Sequence, residues 1–474
     1  WLGIGAAALL GCGPVLGEPK TGSDSLGSTS GTATGGGTGD AEDSGVCGQA
    51  GDGSFRLSCD VGPIDPQPEG PPKVDLLLVV DELPSMRTEA PWLGTNLLRL
   101  VSGIERLTDP GSGTTDIDLQ MMVVSSQAGH PLCGPAPFAP STRSCLDRPD
   151  DFDDPEVCSR SCNLDFELPR PFVRLAPDAS NLDAPILPAD IDGDGDLDGE
   201  AGQLLACVGP LGNRGCEYGS PLEAMLRALD PGAGWNVGPE PFLRPDSSLA
   251  IVLVSDAPDC SVADPTLATS SVYMNVDPQT GQPTPTPAMC HNAGAQCELI
   301  DGPAGEYACT PSPSPLQPLD RYRDYLTSLI DDGRSVSLSV VGGFPSVAEH
   351  NDQYPFDPVQ GGLFDTVYRN WRDPAAPEGD ILPMDWDLGV DAEAQQFYFG
   401  IGPGCTDVTD DGQGRQSTAP LRQVDLCLTL DDYDDRLRCC HESLCDDDWS
   451  LVGVCAVMTA AGDALLDGGL IPNG

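Results

Sequence analysis

Two arrangements of oxygen-bearing side chains in this 474-residue sequence have the chemistry to hold a hard cation. In the first, an aspartate follows directly on each of two apolar runs: Asp81 after "VDLLLVV" (Val74 to Val80) and Asp256 after "LAIVLVS" (Leu249 to Ser255). In the second, "DIDGDGDLDGE" (Asp190 to Glu200) sets carboxylates at alternate positions among glycines. Hard divalent cations take oxygen ligands and accept a mixture of carboxylates, hydroxyls and carbonyls, so both patterns suit them. Each also has a bland reading. A lone aspartate after a strand caps a helix or ends a turn, and an acidic run is commonly a solvated loop.

The elements that must position these groups are legible in the hydrophobic pattern. "VDLLLVV" scarcely alternates, as expected of a strand buried on both faces. The pattern further predicts strands over Asp116 to Ser125, Leu249 to Ser255 and Ser335 to Val341. Helices are expected over Thr88 to Leu107, from Pro221 onward, over Leu319 to Ile330 and over Trp449 to Leu466, with proline tolerated at a first helical position. Apolar strands separated by helices predict an α/β fold with a largely parallel sheet covered on both faces. Ligand sites in such sheets lie beyond the carboxyl ends of the strands. Asp81 and Asp256 therefore emerge on one edge if their strands are parallel neighbours.

"LLLVVDELPSM", "GCEYGSPLEAMLRAL" and "SLAIVLVSDAPDCS", in that order, resemble a von Willebrand factor type A (VWA) domain, particularly the cysteine-rich versions on predicted lipoproteins of myxobacteria and their relatives. The resemblance covers 74–467 and implies a three-layer Rossmann-like domain with long disulfide-clipped insertions at 129–218, 260–318 and 342–447. It also implies an adhesion site in which a DxSxS segment, a middle-loop threonine and a later aspartate hold one Mg²⁺, leaving a coordination position for an acidic residue of a partner. Carried over by position, Asp81 is the first aspartate, Ser85 the second serine and Asp256 the later aspartate. Ser220 is the nearest hydroxyl to the middle threonine, and Tyr218 or Glu217 could equally face the site. The first serine position is Leu83, which offers no oxygen. The expected site is therefore degenerate: water or Glu82 replaces the missing ligand, or the scaffold keeps the shape and has lost the ion.

In the acidic run, Asp190, Asp192 and Asp194 stand at alternate positions, with Gly195 where an EF-hand-type loop turns sharply. Asp196 can offer its backbone carbonyl and Asp198 the ninth position, while the twelfth is Ala201 and Glu200 falls one residue short. The run resembles the calcium loops of bacterial extracellular proteins, and it implies one weak, structural Ca²⁺ site in the first insertion.

The rest of the chain narrows the function class. A formal net charge of -51, from 74 acidic against 23 basic residues, repels nucleic acid and offers no basic patch to an anionic membrane. The opening "WLGIGAAALLGC" is too short to span a bilayer and resembles a bacterial lipobox, so 1–12 reads as a partial lipoprotein signal segment, which implies removal of the residues before Cys12 and a lipid on Cys12 as the first residue of the mature protein. Residues 13–46 read as a flexible Gly/Ser/Thr linker, 47–73 as a cysteine-bracketed lead-in and 468–474 as a tail. Nineteen cysteines, eighteen without Cys12, predict disulfides in an oxidising compartment and fall outside the expected strands. Local pairings are expected for Cys47 with Cys59, Cys207 with Cys216, and Cys290 with Cys297 or Cys309.

No GxSxG, HExxH or GxxxxGK[ST] occurs, and His130, His291, His350 and His441 are scattered. The expectation is a non-catalytic, lipid-anchored binding module of the bacterial cell envelope, on the inner or outer membrane, periplasmic or surface-exposed. It would recognise a protein or cell-surface ligand and touch membrane through its lipid alone. The alternatives are an inert envelope scaffold and a divalent-metal-dependent hydrolase using Asp81, Glu82 and Asp256.

Overall fold

The computed structural model describes residues 72–108, 117–134, 138–164, 166–176, 179–182, 186–193, 195, 197–299, 307–344, 347–350, 358–361, 366, 368–371, 392–408, 414–434, 438–450, 452–453 and 456. Cys12, the linker, the Cys47 and Cys59 pair, Asp194, Asp196 and the tail lie outside them, as does most of the expected closing helix.

One sheet of seven strands organises this part of the chain. Its members are β1 (Lys73–Val80), β2 (Asp118–Ser125), β3 (Val173–Ala176), β4 (Ala179–Ser180), β5 (Ser248–Val254), β10 (Val336–Gly342) and β15 (Cys439–Ser443), in the order β15-β10-β5-β1-β2-β3-β4. The first five of that order run parallel, and β3 and β4 are added antiparallel at the far edge. Four antiparallel hairpins stand outside the sheet: β6 (Asn275–Val276) with β7 (Pro283–Thr284), β8 (Ala295–Leu299) with β9 (Tyr307–Pro311), β11 (Val347–His350) with β12 (Pro358–Gly361), and β13 (Pro403–Val408) with β14 (Gly414–Thr418).

The uniformly apolar β1 divides between two cores because successive strand side chains face opposite ways. Leu76, Leu78 and Val80 pack with Leu97, Val101 and Ile104 of α1 (Ala90–Thr108) and with Leu204 and Leu205 of α2 (Glu200–Val208). Leu77 and Val79 pack on the other face with Leu222 and Met225 of α3 (Pro221–Ala228). The helix α4 (Ala288–Gly294) belongs to the second insertion. Beyond it, α5 (Asp320–Asp331) and α7 (Leu421–Asp434) complete the second layer through Tyr322, Leu326, Leu426 and Leu430, while α6 (Ala392–Phe399) stands apart from that core. Helices on both faces of a largely parallel sheet make a three-layer, Rossmann-like α/β architecture, as the hydrophobic pattern predicts.

Sequence reading misses the last parallel strand. β15 reads "CCHES" and lies inside the stretch 342–447 expected to be an insertion, so cysteines do occur in the sheet. Disulfides and a half-buried histidine take the place of the aliphatic run that would have marked it.

Two local cysteine pairings are also corrected. Cys207 bonds Cys162 and Cys216 bonds Cys133, because the buried α2 turns Cys207 into a cluster with Cys145, Cys158 and Cys162, whereas Cys216 lies in the loop beyond. Cys290 bonds Cys260, and Cys297 faces Cys309 directly across the β8/β9 hairpin and bonds it. Further bridges join Cys145 to Cys158, Cys405 to Cys445 and Cys427 to Cys439.

Candidate functional site

β1 is the strand at which the connections reverse direction, with β2 on one side and β5 on the other. A crevice beyond the carboxyl ends of strands at such a switch point is where open α/β sheets bind ligands. The register sets Val80 level with both Ser125 and Val254, so the next residues, Asp81, Ser126 and Ser255, form a row across three strand ends. Asp81 is fully buried, and both its oxygens are in use: Oδ1 accepts from Ser126 Oγ at 2.8 Å and from the Leu83 amide at 3.2 Å, and Oδ2 accepts from Ser255 Oγ. Burial pushes the Asp81 carboxyl above its ordinary range, against the pull of those hydrogen bonds.

The chain then folds Leu83 inward. Its Cδ1, Ser126 Oγ and Asp81 Oδ1 crowd around Gly219, where a Cβ would meet them at 2.8, 3.0 and 3.3 Å. Glycine at 219 thus allows the middle loop to lie against the strand ends, and the leucine fills space beside the aspartate where a ligand hydroxyl was sought.

The other expected ligands divide. Ser220 Oγ donates to the Cys260 carbonyl at 2.7 Å, so its proton is committed away from Asp81. Tyr218 stacks on His130 with ring centroids 4.4 Å apart, Glu217 bonds Tyr398, and Glu82 accepts from Ser125 Oγ at 2.7 Å. Ser85 Oγ and Asp256 Oδ1, by contrast, are both buried and short of well-formed hydrogen bonds. Ser85 is nonetheless a neighbour of Asp256, and hydrogen bonding from its hydroxyl pulls the carboxyl downward against burial. No cationic side chain bonds Asp256 among the described residues, and a buried carboxylate without one is costly.

A third acid, which sequence reading missed, joins these two. Glu89 is buried just before α1, and its carboxylate accepts from Thr88 Oγ1 at 2.8 Å and from the Gln416 amide at 3.2 Å. Burial pushes Glu89 up to about 7. Asp256 is pushed well above the carboxylate range, first by burial, then by Glu89 and then by Asp81.

β14 closes the edge over these residues. The Thr418 amide and hydroxyl both donate to the Asp256 carbonyl, at 2.8 and 3.0 Å, while Gln416, two residues earlier on the strand, holds Glu89. Gly343 makes the docking possible, since a Cβ there would lie 2.4 Å from the carbonyl oxygens of Ser417 and Thr418. Arg415 is 2 % exposed; it donates to Asp447 at 2.8 Å and to the Cys445 carbonyl at 3.0 Å, pairs with Asp407, and with the Cys405–Cys445 bridge fastens the hairpin. Asp256 is consequently only 2 % exposed.

The acidic run is built differently. Single carboxylate oxygens of Asp190, Asp192 and Asp198 come within 4.8 Å of one another, and Gly193 and Gly195 take the left-handed φ of +78° and +93° that the loop requires. Asp190 Oδ1 accepts from the Gly193 amide at 2.7 Å and Asp198 Oδ2 from the Ile191 amide at 2.9 Å. Asp192 Oδ2 is met by Arg99 Nε at 2.9 Å, so a guanidinium already sits beside the cluster. Glu200 lies at the first turn of α2 and accepts from the Ile186 amide at 2.9 Å. Cys145, Cys158 and Cys162 also converge, but as halves of two adjacent disulfides they have no thiolate to give a metal.

Acid–base chemistry at neutral pH finds little support in the histidines. Burial lowers His130 to about 4, and His441 stacks on Phe344 with centroids 4.9 Å apart. Comparison of the chain with protein-family models, curated proteins and solved structures finds no match.

Proposed function

We propose that the chain is a non-catalytic recognition module of VWA type, lipid-anchored at the bacterial cell envelope, with a modified divalent-cation site at the carboxyl ends of β1 and β5. The observation that carries this reading is the set of Asp81, Ser85 and Asp256 at the switch point of the sheet, where no cationic side chain bonds the buried Asp256 among the described residues. They fit a hard cation: Asp81, Ser85 and Asp256, with the hydroxyls of Ser126 and Ser255, form an oxygen-only donor set of mixed charge. The strand order reads 3-2-1-4-5-6 when β1, β2, β3, β5, β10 and β15 are counted along the chain, the doubly wound order in which ligands bind at this edge.

A Mg²⁺ there would supply positive charge to Asp81 and Asp256, which no cationic side chain bonds among the described residues. The hairpin buries Asp256, so contact with a protein or surface ligand falls to the disulfide-clipped insertions. The loop 190–198 serves as a structural Ca²⁺ site in competition with Arg99. No helix among the described residues is long and apolar enough to cross a membrane, and attachment through a lipid on Cys12 is part of the proposal.

Crystals grown with Mn²⁺ test the site by anomalous scattering. A peak between Ser85 and Asp256 is expected, and its absence at full Mn²⁺ saturation overturns the reading. Metal-stimulated turnover of phosphoester substrates that disappears in Asp81→Ala would replace recognition with hydrolysis.

A further inference from the structure

We infer that the cavity between β6 and α6 receives an arginine side chain of a partner protein. The inference deepens the reading that the disulfide-clipped insertions carry partner contact, and it does not depend on an ion at the strand ends.

The cavity has a volume of about 510 Å³ and is open to solvent, within the range of sites that take small ligands or single side chains. It lies where two insertions meet: Asn275 and Val276 come from the second, and Trp371, Glu393 and Phe397 from the third. Hydrogen bonds fix these walls to each other. Asn275 Nδ2 donates to the carbonyls of Gln396 and Phe397, each at 3.1 Å, and Thr286 Oγ1 donates to the Phe397 carbonyl at 3.1 Å. Asn292 Nδ2 donates to Asn275 Oδ1 at 3.0 Å from α4, the helix that the Cys260–Cys290 bridge fastens. A site held this firmly loses little freedom when a ligand enters.

The lining selects the ligand by what it lacks. No Lys, Arg or His is among the described residues that line the cavity, and Glu393 carries the lining's only formal charge, in a chain of net charge -51. An anionic ligand is therefore repelled. The amide donors point into the walls: besides Asn275, Gln396 Nε2 donates to the Gly400 carbonyl at 2.8 Å and Asn370 Nδ2 to the Tyr307 hydroxyl at 2.8 Å. The indole nitrogen of Trp371 is buried in the wall as well. A neutral polyol, which needs donors as much as acceptors, is poorly served by such a lining. Aromatic surface remains, from Phe397 and from Trp371, which stacks on Phe399 with ring centroids 5.9 Å apart, together with the exposed carboxylate of Glu393. Guanidinium suits that combination, since it is planar, weakly hydrated, stacks on aromatic rings and donates in a fork to a carboxylate.

The test uses the full chain at physiological ionic strength in chelator, so that its outcome is separate from that of the Mn²⁺ experiment. The probe is N-acetyl-arginine methylamide, followed by ligand-observed NMR titration against its uncharged citrulline counterpart. Saturable binding of the arginine probe is expected, with the citrulline probe and Glu393→Gln each weaker by about tenfold. Glu298→Gln makes the same change of charge on the exposed β8 and should leave affinity unchanged. Val276→Arg, at a position 59 % exposed, should abolish binding by filling the cavity with a guanidinium of its own.

Equal losses in Glu393→Gln and Glu298→Gln would reduce the binding to diffuse attraction by an acidic surface and overturn the inference. Equal affinity for the citrulline probe, or no saturable binding, would overturn it too, and neither result bears on the strand-end ion. Agmatine binding more tightly than the blocked arginine would assign the cavity to a free amine and remove the partner protein from it.

Discussion

The two ends of the central strands treat buried acid in opposite ways. At the amino end, Asp75 on β1 is fully buried, and Arg244 meets its Oδ1 through Nε at 2.7 Å while Arg334 lies 3.7 Å from Oδ2. Asp118 on β2 pairs with Arg244 and Arg174, each at 2.8 Å. Burial alone would raise Asp118, and the two arginines more than reverse it. At the carboxyl end, Asp81 accepts only from hydroxyls and amides, and Asp256 has Ser85 beside it but no cationic partner among the described residues. The first end carries its own compensating charge and works as a clamp between strands. The second is short of positive charge, so it must take a proton or a metal ion from outside.

This difference can be broken or sharpened by measurement. The largest effect is expected from Arg244→Ala, which leaves the buried Asp75 with only Arg334 at 3.7 Å for positive charge and Asp118 with Arg174 alone, and should cost about 3–5 kcal/mol, read as a large fall in melting temperature with and without divalent metal.

Next in size is the pH response of the carboxyl end. Burial pushes Glu82, Glu89 and Glu442 each up to about 7. Their folded pKa values exceed the unfolded ones, so the stability they contribute is complete below pH about 4.5 and lost as pH rises through about 7. Melting in chelator should therefore fall from pH 5 to pH 8 by the equivalent of a few kcal/mol, and saturating Mg²⁺ should flatten the slope. A slope equally steep with Mg²⁺ would detach the acids from any ion.

Asp256→Asn should have the opposite sign to Arg244→Ala. Removing a buried charge that nothing compensates should stabilise the chelated protein at pH 8 by on the order of 1 kcal/mol, while erasing stabilisation by Mg²⁺. Destabilisation in chelator would show that some cationic group already serves that carboxylate. The smallest effect belongs to the acidic loop: Arg99→Ala should change stability by less than about 1 kcal/mol, as partly exposed pairs do, and should tighten Ca²⁺ binding by removing the competing guanidinium. Calcium titrations of the melting temperature check both parts.

What could be read from the sequence follows from how local each signal is. Asp81 and Asp256 stand out because each ends an apolar run, and the parallel register then brings those runs together. Ser126 and Ser255 carry the same kind of signal, a hydroxyl at the strand terminus, but matter only once Val80 is known to be level with Ser125 and Val254. Glu89 could not be singled out, since its role depends on Gln416, a residue distant in sequence and set in the polar strand "GRQST". β15 escaped because its pairing with β10 is backbone hydrogen bonding, to which "CCHES" gives no hydrophobic clue. Leu83 was conspicuous as a missing oxygen, whereas the inward turn of its side chain depends on Gly219 in a different loop.

The β13/β14 hairpin carries one more consequence, and it concerns time. All three strands that end in Asp81, Ser126 and Ser255 precede the hairpin along the chain, so their ends can assemble before it docks. If the proposed ion were taken up at that stage, it would be enclosed when Thr418 and Gln416 settle onto Asp256 and Glu89. Its escape would then wait for local opening of the hairpin, and chelators would strip it at the rate of that opening rather than at a rate set by affinity. A slow, chelator-independent release would make the bound ion a clock for the motion of the cover.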